Sequence, residues 1–282
     1  MNRTPRSDRR TGVILLMISV VTYSTAGLFT KGVEAGSWEV IFWRGLFAGA
    51  VTTAWTIGRG TVRRNFLGMG GSGWAVGVVG ALGTAAFIPA FKLTSIANVS
   101  LIYAVSPLLA ALLVWLAMGE RVSPRTMAGC VGALAGVAVI VSGSLGRINL
   151  DGDLLALCMT VAMASIMVIY RKFPDTPGPG PAVLQSVLLL PVAAILGSPF
   201  AVDCAEAVIL AAFGLLFAIA SVALAEGAKR IPASQTVLLS ALETPLAPVF
   251  AFILFTEVPD VATFIGGAVV LAAVLVSLRA DP

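Results

Sequence analysis

Arg44 and Glu243 are the two ionisable residues that stand well inside apolar stretches of this chain, and their types set the chemistry open to it. A guanidinium offers a planar fork of donors to a carboxylate, while a carboxylate accepts from an ammonium or takes up a proton. Together they read either as a clamp for a zwitterion or as an ion pair locking two parts of the protein together. Arg44 also lies near enough to one end of its stretch, roughly 8–9 Å in at 1.5 Å per residue, to snorkel toward water.

Polar and aromatic side chains interrupt other apolar stretches. Tyr23, Ser24 and Thr25 mark the middle of one; Asn98, Ser100, Tyr103 and Ser106 lie in another, the last two spaced to share a helix face. Gln185 and Ser186, Ser221, and Gln235, Thr236 and Ser240 supply the rest. Apolar walls with a few fixed polar groups suit a small amphipathic solute. The candidate solute ligands are therefore Arg44, Glu243, Tyr103, Trp43, Ser106, Tyr23, Asn98, Gln185 and Ser240. Lone Ser residues serve equally as hydrogen bonds between helices. Pro107 and Pro245, each inside an apolar stretch, are candidate hinges, since proline removes a backbone bond and kinks a helix.

Other chemistries are excluded at this level. Histidine is absent, so no imidazole ligand, base or triad exists. The three cysteines, Cys130, Cys158 and Cys204, are odd in number and far apart, which indicates neither a disulfide framework nor a thiolate metal cluster. Gly70-Gly71-Ser72-Gly73 has the form of an intramembrane serine protease motif but lacks a histidine to activate its serine. Asp151 and Asp153 fall at the edge of a stretch rather than facing each other at depth. The chain reads as a protein without catalysis, cofactor or metal.

What must position these residues follows from composition. Of 282 residues, 58% are apolar and 11% charged, with a mean hydropathy of +0.98. A soluble domain carries roughly a quarter charged residues. Too few charges remain here to coat a surface facing water, and the protein reads as all-α and integral to a membrane. Runs near the ~20 apolar residues needed to cross a bilayer occur at 12–30, 39–57, 73–92, 96–118, 126–143, 153–170, 181–197, 205–225, 234–255 and 261–278. The first is too long for a signal-peptide core and is read as an uncleaved span.

Orientation follows from the basic residues, which cluster at the ends of these spans as topology demands rather than as a nucleic-acid surface would. Arg44 aside, only Lys31, Lys92 and Arg147 fall on one side of the ten-span arrangement, and all other Lys and Arg, from Arg3 to Arg279, fall on the other. The positive-inside rule then puts both termini in the cytoplasm of a cell whose inner membrane holds the protein.

The halves repeat each other. Lys31 and Arg44 correspond to Lys172 and Gln185, 141 residues later, while Lys92, Ser106, Glu120 and Gly129 correspond to Lys229, Glu243, Glu257 and Gly266, 137 later. Five spans is an odd number, so the copies, 1–146 and 147–282, are expected to be inverted relative to one another. Such inverted repeats are a recurring transporter design, with the solute near the midplane.

The sequence carries Ser106-Pro107, Gly119-Glu120-Arg121 and Gly129, then Glu243-Thr244-Pro245, Thr256-Glu257 and Gly266. This pattern resembles the EamA-type units of the drug/metabolite transporter superfamily. The second copy departs from it, with proline one residue late and Thr256 where the first has glycine. The resemblance implies a ten-helix secondary carrier with a central cavity. Size and span number are similar to YddG-type amino-acid exporters, which implies amino acids or similar metabolites as solute and the bilayer as the other partner. A pore or a non-transporting membrane subunit is the alternative.

Overall fold

The computed structural model describes residues 5–119, 124–143, 149–228, 230, 239, 240 and 242–278. Of the residues singled out above, Arg3, Glu120, Arg121, Arg147, Lys229, Gln235, Thr236 and Arg279 lie outside them. The described residues form helices and no strand. The first half holds α1 (Pro5–Ser24), α2 (Ala26–Lys31), α3 (Ser37–Gly58), α4 (Gly70–Leu93), α5 (Ile96–Tyr103), α6 (Ser106–Met118) and α7 (Pro124–Gly143). The second holds α8 (Leu150–Lys172), α9 (Pro179–Leu196), α10 (Cys204–Ala228), α11 (Glu243–Phe255) and α12 (Val261–Leu278).

Seven helices are long and apolar enough to cross a membrane, counting α1 with α2 and α5 with α6 as single crossings. Three shorter apolar helices, Met127–Gly143, Glu243–Phe255 and Val261–Ala273, fall in the segments expected as the fifth, ninth and tenth spans. Large side chains such as Ile57, Leu82, Ile195 and Phe264 are exposed along these helices, as they are when lipid is the solvent.

Helices pack mostly across the two halves, and the pairs change places when the halves are swapped. Helix α4 packs on α8 and α1 on α10; α3 packs on α10 and α4 on α9; α6 packs on α8 and α11 on α1. Two pairs map onto themselves: α3 with α9, and α7 with α12. Glycines set the closest approaches. A Cβ on Gly266 would sit 2.5 Å from the Gly136 carbonyl oxygen, so α7 and α12 cross backbone to backbone. A Cβ on Gly77 would meet Leu184 of α9 at 2.6 Å. Of the G-x-x-x-G pairs, Gly132 and Gly136 face α12 and Gly45 and Gly49 face Ser186, the close helix contact that such spacing provides.

Three crossings are interrupted. Helix α1 gives way to α2 at Thr25, where the hydroxyls of Ser24 and Thr25 bond the Val20 and Thr22 carbonyls instead of leaving the backbone to its own ladder. Helix α5 ends at Tyr103 and α6 begins at Ser106 after a turn at Ala104 and Val105. Pro107 has no N–H to offer the Tyr103 carbonyl four residues back and crowds it, so a continuous helix is broken there. A third turn, at Leu242, separates helical Ser240 from α11. Pro107 and Pro245 thus occupy the first turns of α6 and α11, where a missing N–H costs little. The expected kinks are full breaks.

The far ends of α6 and α11 show what the Gly-to-Thr departure does. Gly119 ends α6 in the left-handed region at φ 67°, and Thr256 ends α11 at φ 52°, the one non-glycine with positive φ among the described residues. A β-branched residue is strained there by roughly 1–2 kcal/mol, against about 0.5–1 kcal/mol of extra unfolded-state freedom for glycine. Thr256→Gly is expected to stabilise the protein by about 0.5–1 kcal/mol, read as a higher melting temperature in detergent. Equal or lower melting would show that the site is not strained.

Candidate solute site

The interruptions converge on one cavity midway along the bundle. Tyr23, Ser24 and Gly27 reach it from the α1–α2 break, Val99, Ser100 and Tyr103 from α5, and Glu243, Thr244 and Ala247 from α11. Phe87 and Phe91 of α4 and Met159 of α8 close the remaining sides. Its volume is about 20 Å³, room for about one water molecule. The Ser24 hydroxyl, 3.4 Å from the Glu243 carbonyl, ties the end of α1 to the start of α11.

Three of the nine predicted ligands, Glu243, Tyr103 and Tyr23, line this cavity. The Ser221 hydroxyl donates to the Phe217 carbonyl at 2.9 Å, so Tyr23 is the donor in its own 2.6 Å bond to Ser221. Ser106 is buried against Tyr103 across the α5–α6 turn. The two were expected on one face of a single helix; they do meet, but across the break between α5 and α6.

Arg44 is not in the cavity wall and does not snorkel, being 4% exposed. Its guanidinium carbon stands 4.5 Å from the centre of the Phe217 ring and 5.7 Å from that of Phe213, and Nη2 is 3.5 Å from the Thr84 hydroxyl. The two rings come from successive turns of α10, held close by Gly214, where a Cβ would lie 2.8 Å from the Arg44 carbonyl oxygen. Among the described residues no carboxylate pairs with Arg44, so the expected ion-pair lock is not seen.

The other predicted ligands serve elsewhere. Asn98 donates to both carboxylate oxygens of buried Asp153, at 3.0 and 3.1 Å, and accepts from Thr263 at 2.6 Å, while Thr94 bonds the same carboxylate at 2.6 Å. This network pins α5 to α8 and α12. Asp153, at the edge of its apolar stretch, is fully buried. Trp43 donates to the Pro199 carbonyl at 2.9 Å and stacks on Phe47. Gln185 fills the space over Gly80 where α4 and α9 cross. Ser240 is partly buried ahead of α11. Sequence reasoning missed Phe87, Phe91 and Met159, since apolar residues in an apolar chain carry no signal of which way they face.

At the Lys31 end the bundle is joined by charge. Lys31 pairs with Glu257 at 2.9 Å and bonds the Thr94 carbonyl at 3.2 Å, and Glu257 accepts from the Ile96 amide at 2.7 Å. Glu257 therefore caps α5 and joins it to α2. A wide depression of about 760 Å³ nearby is edged by Glu34, Glu39, Asp203 and Glu206. Glu39 accepts the Ser198 amide, and Glu206 those of Glu34 and Ala35, so these carboxylates stitch loops.

Interrupted membrane helices around a carboxylate-bearing cavity define a multi-pass membrane protein built like a transporter. The sequence profile of the EamA-like transporter family matches residues 10–142 and again 150–279. The chain belongs to that family, within the drug/metabolite transporter superfamily, whose members are transporters rather than enzymes. No curated protein matches it. A solved structure described as "Crystal structure of protein" is 22% identical over 95% of this chain and 97% of its own, with a TM-score of 0.65, a likeness of fold.

Proposed function

We propose that the protein is a secondary carrier of small metabolites, specifically an amino-acid exporter, working by alternating access between two inverted five-helix copies of ten spans in all. The observation that carries this reading is Glu243, the one carboxylate in the cavity wall among the described residues, set among Tyr23, Tyr103, Phe87 and Phe91. A carboxylate under aromatic walls is a site for an ammonium group, which ring faces also attract. Helix ends of both polarities meet there, the C-termini of α1 and α5 and the N-termini of α6 and α11, and such half-helix ends suit a dipolar solute. The exchange of packing pairs between halves, and the double family match, support the inverted copies as 1–146 and 147–282.

A cavity with room for about one water is narrow for a standing pore, which favours a carrier. Export is the direction the family resemblance implies, from an inner membrane with both termini in the cytoplasm. The test is counterflow in proteoliposomes across a panel of amino acids. Saturable uptake of label driven by unlabelled solute inside is expected; no uptake across the panel overturns the assignment.

A further inference from the structure

A guanidinium has five N–H donors, and those of Arg44 are poorly met. Among the described residues its one hydrogen bond is the 3.5 Å contact to Thr84, its Nε has no partner, and no carboxylate balances its charge. The residue is 4% exposed, and its Nε is closed off from solvent. Ring faces attract the cation but accept few of its protons. A charge kept at membrane depth in this condition marks a place for an opposite charge that comes and goes.

The route to it passes Tyr23. Tyr23 lines the cavity beside Glu243 and lies within electrostatic reach of both charges. Its ring meets Phe217 edge to face, with centroids 5.2 Å apart, and Phe217 carries Arg44 on its own face. What holds the Tyr23 ring in place at its tip is the single bond to Ser221. The cavity and the arginine are thus separated by a layer of aromatic rings of which Tyr23 is the member reaching the cavity.

We propose that Arg44 is the carboxylate-binding subsite of the carrier and that Tyr23 is its screen: the ring turns aside, breaking the bond to Ser221, so that a solute held by its ammonium at Glu243 places its carboxylate on the guanidinium. Arg44 and Tyr23 together then select amino acids over amines and amides. The inference rests on the cavity being the solute site. It adds a second pole, from the other half of the chain, that the cavity as it stands does not contain.

The test compares each amino acid with its own amide, which keeps the ammonium and shape but loses the negative charge. Binding to the purified full chain is read by thermal shift and by competition in counterflow. A charge-assisted, two-pronged contact predicts that the wild type prefers acid over amide by about tenfold or more. Arg44→Gln is expected to bring that ratio below about two, and Arg44→Lys, which keeps charge but not the fork, to an intermediate value. Tyr23→Phe removes the tether to Ser221 and is expected to raise the wild-type preference for the acid. An unchanged ratio in Arg44→Gln overturns the subsite while leaving the carrier reading intact. Should Arg44→Gln not fold, unchanged ratios in both Arg44→Lys and Tyr23→Phe overturn it equally. A wild type that binds neither acids nor amides removes the solute site itself and this inference with it.

Discussion

Glu243→Gln is expected to lower the apparent affinity for a transported amino acid by roughly 30-fold or more while leaving the protein at least as stable as before. The size follows from taking away one member of a desolvated charge pair, which costs about 2–5 kcal/mol because the other charge is left without a partner. The stability follows from the opposite side of the same physics. In the absence of solute an ionised carboxylate in an aromatic-walled cavity is costly, and an amide of the same shape is cheaper to bury. Lost transport with retained melting temperature separates a binding role from a structural one. Ser100→Ala and Thr244→Val, which remove neutral hydroxyls from the same wall, are expected to cost about 0.5–1.5 kcal/mol each. Wild-type counterflow by Glu243→Gln would remove the carboxylate from the site.

Gly266→Ala is expected to destabilise the protein by about 1–3 kcal/mol without changing the order of preferred solutes. The added Cβ would lie 2.5 Å from the Gly136 carbonyl oxygen and 2.7 Å from Ile140 Cγ1, and a backbone atom cannot turn away as a side chain can. Helices α7 and α12 must separate, and membrane helices that part lose the close packing that holds them. Gly132→Ala is the control one turn along, where the new Cβ would stand 3.4 Å from Ala273 Cβ, a contact a small shift relieves. Detergent melting curves and the amino-acid panel together check this. Normal melting in Gly266→Ala would mean the crossing is looser than described.

The cavity's charged and phenolic residues were legible because a polar group in an apolar run is costly enough to need a reason. Glu243, Tyr23 and Tyr103 announced themselves in this way, and all three line the cavity. Arg44 announced itself too, but Phe213 and Phe217, which hold it, looked like any other apolar residues of α10. Periodicity assumes an unbroken helix, so it paired Tyr103 with Ser106, which do meet, without the break at Ala104 and Val105 that lies between them. It likewise turned two helix starts into kinks. Asp153 stands at the edge of its stretch as expected, but its burial depends on Thr94 and Asn98, more than fifty residues away in the chain, and no local pattern encodes such a partner. Asn98 was misassigned by the same blindness. The Gly-to-Thr departure, by contrast, was visible in the sequence and has a backbone counterpart in the positive φ of Thr256.

The swap of packing partners between halves bears on how the molecule comes to exist. Helix α4 has its main neighbours in α8 and α9, and α7 rests chiefly on α12, all made later in synthesis. A first half alone would present to lipid the glycine-notched faces, at Gly77, Gly80 and Gly136, that are cut to fit helices not yet inserted. The two halves therefore bury their closest-packed faces on each other rather than within themselves. On that packing, the first-half helices α4 and α7 find their main neighbours only once the second half has been made.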